Sequence, residues 1–354
     1  MRILKARKRI TLVLGLIGLL AGATKIGINY SWPDFHPKNN IQTVYDDAGL
    51  LTEDQAAFIQ NYHAKLLEDH DIDYRVMTVA TDAGFDINRL THRMFQEKRT
   101  GSSSQSGRGF LLLIDAARDE VRLEVSAALE SIYTDAFVSY IQHRQMIPFF
   151  QTGRVADGVL ATTEMIVTRA QEAQGGNEFS PPMESTSTGG GAANPALIGT
   201  GEDRIFRQGP DVTASSADPM HVLEAYRRAM DDRNGNPKLS IYTGDTQAML
   251  VKWTLTPAQM DNEARILKRC QPGTPAIADR YAVIRFSAKE RQCPPYFFKS
   301  EHGAWKLDLT IMQKAIRFNY RNQWHFDLNY DPLSEPYGFA FAGWRLDKHG
   351  FPHE

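Results

Sequence analysis

Four carboxylates occupy positions where a folded sheet could gather them. Asp46, with Asp47 beside it, precedes a helix; Asp115 closes an unbroken apolar run; Glu130 and Asp135 lie between a strand and the helix after it. Side chains of this kind offer only oxygen, and several of them on one rim would hold a hard divalent cation, calcium or magnesium. The plainer reading makes Asp135 a helix N-terminal acid favoured by the macrodipole and Asp46 a turn former. Support for phosphate chemistry is thin. The chain contains no Asp-x-Asp-x-Thr, no Arg-His-Gly, no paired metal-binding histidines and no glycine-rich loop opening a helix. An enzyme here would rely wholly on a metal to polarise the ester and activate water. The serine-rich stretch from Gly101 to Gly109 precedes a strand rather than a helix, so it reads as a mobile surface loop and not as a phosphate cradle.

The elements that must position these acids follow from periodicity. Thr52 and Gln55 form a capping box, with Ile59, Tyr62 and Leu66 at helical spacing, which predicts a helix over 53–69. Tyr74 to Ala80 reads as a strand, and Asp86 caps a second helix carrying Ile87, Leu90 and Met94. The run Gly109-Phe110-Leu111-Leu112-Leu113-Ile114 suits a central strand covered on both faces. Val121 to Val125 alternates apolar and charged, as a half-exposed strand does. Helices near 134–147 and 154–172 complete a three-layer α/β/α sandwich. In such a fold ligands collect beyond the carboxyl ends of the strands, which is where Asp115 should project and where the other three acids are expected to join it.

At 354 residues the chain is long enough for two domains. Its 42% hydrophobic and 10% aromatic content excludes a mainly disordered protein. With 40 basic against 42 acidic residues, nucleic acid is not expected as a partner. The charge is uneven: Arg2, Lys5, Arg7, Lys8 and Arg9 precede an apolar stretch from Ile10 to Ala23. A positive head before a greasy helix is how export machinery reads a signal. Residues 1–28 are therefore expected to be a signal anchor, leaving a single-pass protein of the inner or plasma membrane with its bulk extracytoplasmic. The alternative is a signal peptide cleaved after Ala21-Gly22-Ala23 and a secreted or periplasmic product. Outside the cytoplasm Cys270 and Cys293 could form one disulfide; two unpaired buried thiols are the other reading. Residues 174–217, rich in Gly, Ser, Thr and Pro, read as a disordered linker between a domain over 41–173 and another over 218–354.

Several motifs occur in a recognisable order: Val44-Tyr45-Asp46-Asp47-Ala48-Gly49-Leu50-Leu51-Thr52, then Gly109 to Ile114, then Arg122-Leu123-Glu124-Val125, Leu129-Glu130 and Thr134-Asp135. Together they resemble the TPM domain family, over about residues 41–172. The resemblance implies an export signal, an α/β/α fold, and an extracytoplasmic domain tethered to a membrane in bacteria or placed in the thylakoid lumen of plants. Members are described as calcium-binding, as acid phosphatases, or as factors in photosystem repair and membrane-protein assembly. By position, Asp46, Glu130 and Asp135 match the family's recurrent acids, and Asp115 a less regular one. One departure stands out: Ser126-Ala127-Ala128 replaces a stretch commonly rich in glycine, which would permit positive φ and close ligand approach.

In the C-terminal part, Asp218-Pro219 and Thr256-Pro257 start helices. Strands follow at Tyr281–Phe286, Tyr296–Lys299, Trp305–Leu309, Gln323–Leu328 and Tyr337–Trp344, giving an α+β domain loosely similar to the nuclear-transport-factor-type cone fold. Trp253, Phe286, Phe298, Trp305, Phe318, Trp324 and Phe326 could line a pocket for a peptide or small ligand, or simply fill the core. His302, His325 and His349 lack metal-site spacing. The expectation is a membrane-anchored binding or assembly module acting on envelope or membrane proteins, with calcium or magnesium as the cofactor to look for; the alternative is a metal-dependent acid phosphatase.

Overall fold

The computed structural model describes residues 41–353 except 81–83, 85, 175, 181–193, 202–208, 213–216, 254, 271, 290, 319–322, 329 and 331–335. The expected signal anchor lies outside the described residues. Among those described, no helix is long and apolar enough to cross a membrane. The chain forms two compact units that part between Asp203 and Arg204.

The first unit is a mixed α/β fold. Its five-stranded sheet runs β1 (Val44–Asp46), β2 (Asp73–Val79), β3 (Gly109–Asp115), β4 (Glu120–Val125) and β5 (Asn194–Pro195) in spatial order. β1, β2 and β3 are parallel, and β3, β4 and β5 antiparallel. All seven residues of β3 are buried, as its unbroken apolar run predicts. Met77, Leu111 and Leu113 pack with Ile87 and Leu90 of α2 (Ile87–Glu97) on one face. The other face meets α1 (Glu53–His70), whose Thr52–Gln55 capping box is present, and α5 (Val155–Gln174). The single helix expected near 134–147 is in fact α3 (Asp135–Ile141), a π-helical turn (Gln142–Met146) and α4 (Ile147–Gln151).

Part of the expected linker is bound. Phe179 packs on Phe137 and Tyr140 of α3, and residues 194–201 return to the first unit's sheet. Residues 209–211 are held in the second unit, where Asn234 and Asn236 donate to Pro210 O and Gly209 O and Asp211 accepts from Ser240 N. Low apolar content predicts little burial but does not prevent backbone hydrogen bonding, and that is what holds these segments.

The second unit is β-rich and separate. Helices α6 (Pro219–Asp231), α7 (Gly244–Leu250) and α8 (Pro257–Arg269) precede an antiparallel meander of β6 (Thr274–Ala278), β7 (Tyr281–Arg285), β8 (Tyr296–Glu301) and β9 (Ala304–Leu307). Buried Glu263 of α8 accepts from Tyr226 of α6 at 3.2 Å and Tyr296 of β8 at 2.6 Å. That bond pair ties helices to sheet. Phe297, pointing the other way, meets Tyr337 and Phe341. The strand expected through Leu309 stops at Leu307 because Asp308 caps α9 (Leu309–Ala315). The strand expected at Tyr337–Trp344 is instead a short 3₁₀ turn, Gly338–Phe341, whose flanking aromatics fill the space below the sheet. β10 (Ile316–Phe318) pairs with β11 (Trp324–Phe326), and β12 (Arg345–Leu346) with β13 (Pro352–His353). Cys270 and Cys293 are joined as a disulfide. The seven aromatics are spread through the unit: Phe286 packs on Tyr296, Phe326 packs on Trp324 and Phe341, Phe298 and Phe318 are buried, and Trp253 and Trp305 are partly exposed. His302 sits in the β8–β9 turn at φ 54°, and His325 is buried against the carbonyl of Phe326.

Candidate functional site

The carboxyl ends of β1 and β3 place Asp46 and Asp115 on one edge of the sheet, with Thr78 and Val79 of β2 between them in register. Both acids are in use. Asp46 accepts the amides of Leu50 at 3.0 Å and Leu51 at 2.8 Å, and a short bond from the Thr78 hydroxyl. It thereby folds the chain from β1 into the cap of α1. Asp115, buried, accepts from the amides of Ala117 and Arg118 at 3.0 and 3.1 Å and shapes the turn into β4.

Glu130 and Asp135 lie on the opposite edge. β4 runs antiparallel to β3, so its last residue, Val125, stands beside Phe110 at the start of β3. Ser126 continues there, its amide bonded to Gly109 O. Glu130 is exposed in the turn that follows, and Asp135, also exposed, is the first residue of α3 after its Thr134 cap. The seven residues of β3 separate the edges by about 20 Å. The expected convergence of all four acids on one rim therefore does not occur, and a single cation held by them does not fit this geometry. Among the described residues no group of three or more His, Cys, Asp or Glu is placed to hold a metal ion. Ser126-Ala127-Ala128 needs no glycine: none of the positive-φ residues falls there, and the Ser126 hydroxyl accepts from Gly109 N at 2.9 Å.

The serine-rich loop shares this second edge, and it is pinned rather than free. Asp73 accepts the amides of Gly101 and Ser103 while forming a two-pronged ion pair with Arg75, which also donates to Lys98 O. Asp71 accepts the amides of Gln105 and Ser106. Partial burial would raise the Asp71 pKa, but those amides and the Ser104 and Ser106 side chains hold it below its ordinary value. Gly101, at φ +94°, and Gly109 approach so closely that a Cβ on Gly109 would lie 2.9 Å from Gly101 Cα. Four of the loop's amides, those of Gly101, Ser103, Gln105 and Ser106, are thus spent on the protein's own carboxylates, which removes them as phosphate donors.

Two features escape a reading by motif. The first is a buried polar group between α1 and α5: Tyr62, His63 and Glu164, with the Tyr74 ring 4.2 Å from that of His63. Burial pushes His63 down to about 3, partly countered by Asp73, and pushes Glu164 up; the Tyr62 phenol is raised by burial and by Glu164. A glutamate inside the apolar face of a helix was the available signal. The second is Asp119, at φ 55° in the β3–β4 turn, whose carboxylate accepts from Leu197 N at 3.0 Å and Ile198 N at 2.9 Å.

A family model described as TPM domain matches residues 44–169. No curated protein matches the chain. Among solved structures, the N-terminal domain of a protein from P. gingivalis, determined in solution by NMR, is 23% identical with a TM-score of 0.34, over 40% of this chain and 88% of that one. The chain thus carries a TPM domain at residues 44–169.

Proposed function

We propose that this protein is anchored in a membrane by its N-terminal helix, faces away from the cytoplasm, and uses its TPM domain as a binding or assembly module for other envelope proteins. The carrying observation is the employment of the acids. Asp46 accepts backbone amides on both oxygens and Asp115 accepts two on Oδ1 at one edge, and Glu130 and Asp135 stand apart at the other. That arrangement favours a shaped surface over a metal-assisted hydrolytic centre, which needs its ligands together and partly free. The export reading draws support from the basic head before Ile10–Ala23 and from the Cys270–Cys293 bond, since disulfides persist in oxidising compartments. The test is hydrolysis of a phosphate monoester by the full chain with and without calcium or magnesium. No turnover above the protein-free control is expected. Metal-dependent turnover that Asp46→Ala or Asp135→Ala abolishes would replace this reading with a phosphatase.

A further inference from the structure

Helix α1 turns Tyr62 and His63 inward, and α5 packs beside it with Thr162, Thr163 and Glu164 buried. Three polar atoms in this seam are met by nothing from the chain: among the described residues, the Tyr62 hydroxyl and both ring nitrogens of His63 are buried with no hydrogen-bond partner. The neighbouring groups explain why. The hydroxyls of Thr162 and Thr163 donate to Gly158 O and Val159 O of their own helix at 2.7 and 2.9 Å. Glu164 acts on the Tyr62 phenol electrostatically but makes no hydrogen bond to it, so the two groups stand beyond bonding distance. Tyr74 lies against His63 with ring centres 4.2 Å apart and planes inclined by 37°. That contact covers a face of the imidazole and leaves the nitrogens, which point outward in the ring's own plane, to be met by something else.

We infer that the seam between α1 and α5 is an internal hydration site, in which at least two water molecules meet the His63 nitrogens and one of them or a third bridges Tyr62 to Glu164. A neutral imidazole donates from one nitrogen and accepts at the other. Its two nitrogens lie on different edges of the ring, so a single water cannot serve both. Water plays either role, and a polar contact just beyond bonding distance is where a bridging water belongs. A buried polar atom left unmet costs more than an average hydrogen bond contributes, so the fold gains by holding these waters. Proteins carry about one buried water per 27 residues, and a unit of this size accommodates several. Other occupants fit less well. Tyr62 is 4% exposed and His63 1%, which argues against an exchanging organic ligand. No three His, Cys, Asp or Glu among the described residues are grouped to hold a metal ion. Tyr62 and His63 are thereby positioning residues that join α1 to α5 through water.

Two variants of the full chain, Tyr62→Phe and His63→Leu, separate a hydrated seam from a dry one by sign. With water in place, each change strips a partner from it, and the unfolded fraction at neutral pH should rise roughly fivefold. In a dry seam each change removes an orphaned polar group, so an unchanged or smaller unfolded fraction in either variant would overturn the inference. Because His63→Leu also alters shape, a crystal structure of the unaltered full chain gives the second reading. Ordered water is expected within about 2.5–3.2 Å of the Tyr62 oxygen and of both His63 nitrogens. Side chains that bond one another directly there, with no water between them, would overturn the inference whatever the variants do.

Discussion

At the scale of single residues, the chemistry of the first unit is mostly carboxylates holding backbone in place. Asp46→Ala leaves two amides and the Thr78 hydroxyl without their acceptor, and should cost about 2–3 kcal/mol in denaturant unfolding. Exposed Glu130→Ala should stay within about 0.5 kcal/mol. Similar small effects for both would mean that Asp46 is not a structural staple. Buried His63 and Glu164 give pH signatures of opposite sign. Glu164 has its folded pKa raised by burial, so the stability it contributes is full below its ordinary value of 4.5 and is lost as pH rises through the folded pKa. Glu164→Gln should therefore raise the melting midpoint at pH 7.5, with the gain vanishing near pH 4. His63, depressed from 6.5 to about 3, contributes stability above pH 6.5 that is lost as pH falls toward 3, so His63→Gln should flatten the acid limb of the melting curve. Melts from pH 3.5 to 8 check both signs.

At the scale of elements, the long periodic segments were legible and their directions decided the site. The Thr52 capping box, the helix start at Thr256-Pro257 and the buried run of β3 all form where local pattern places them. The acids failed to converge because a strand's alternation says nothing about which way it runs. A signal was nonetheless present: only four residues, Ala116 to Asp119, join β3 to β4, too few for a parallel crossover. That alone sends Glu130 and Asp135 to the far edge. Short helices such as α9 were missed because Asp308 sits on an alternating run and caps a helix at the same time. The return of residues 194–201 to β4 was missed because backbone pairing and the Asp119 carboxylate hold much of it, and neither shows in hydrophobic patterning. In the second unit the Cys270–Cys293 bond ties the end of α8 to the loop before β8, closing a span of 23 residues. Cys270→Ser with Cys293→Ser should cost about 3 kcal/mol by the chain-entropy account. Hydrogen exchange should report the loss in β7 and β8 and leave β2 and β3 unchanged; equal loosening of both units would contradict their independence.

At the scale of the whole molecule, two units each carry their own core, and segments on either side of the 203–204 boundary are held by the unit they adjoin. Residues 174–217 read as a linker by composition, and within them Phe179, residues 194–201 and residues 209–211 are bound to one unit or the other. The proposed extracytoplasmic placement rests on a basic head, an apolar segment and a disulfide. The central claim is that the family-matching acids are divided between two edges and do not jointly hold a cation. Native-state binding must raise apparent stability, by about 2.7 kcal/mol at a hundredfold excess over Kd. The most direct measurement is the melting midpoint of the TPM unit in the full chain as calcium is raised to about 10 mM, against sodium chloride of equal ionic strength. The account predicts no saturable shift; a saturable rise that either Asp46→Ala or Asp135→Ala removes would show one shared site and contradict it.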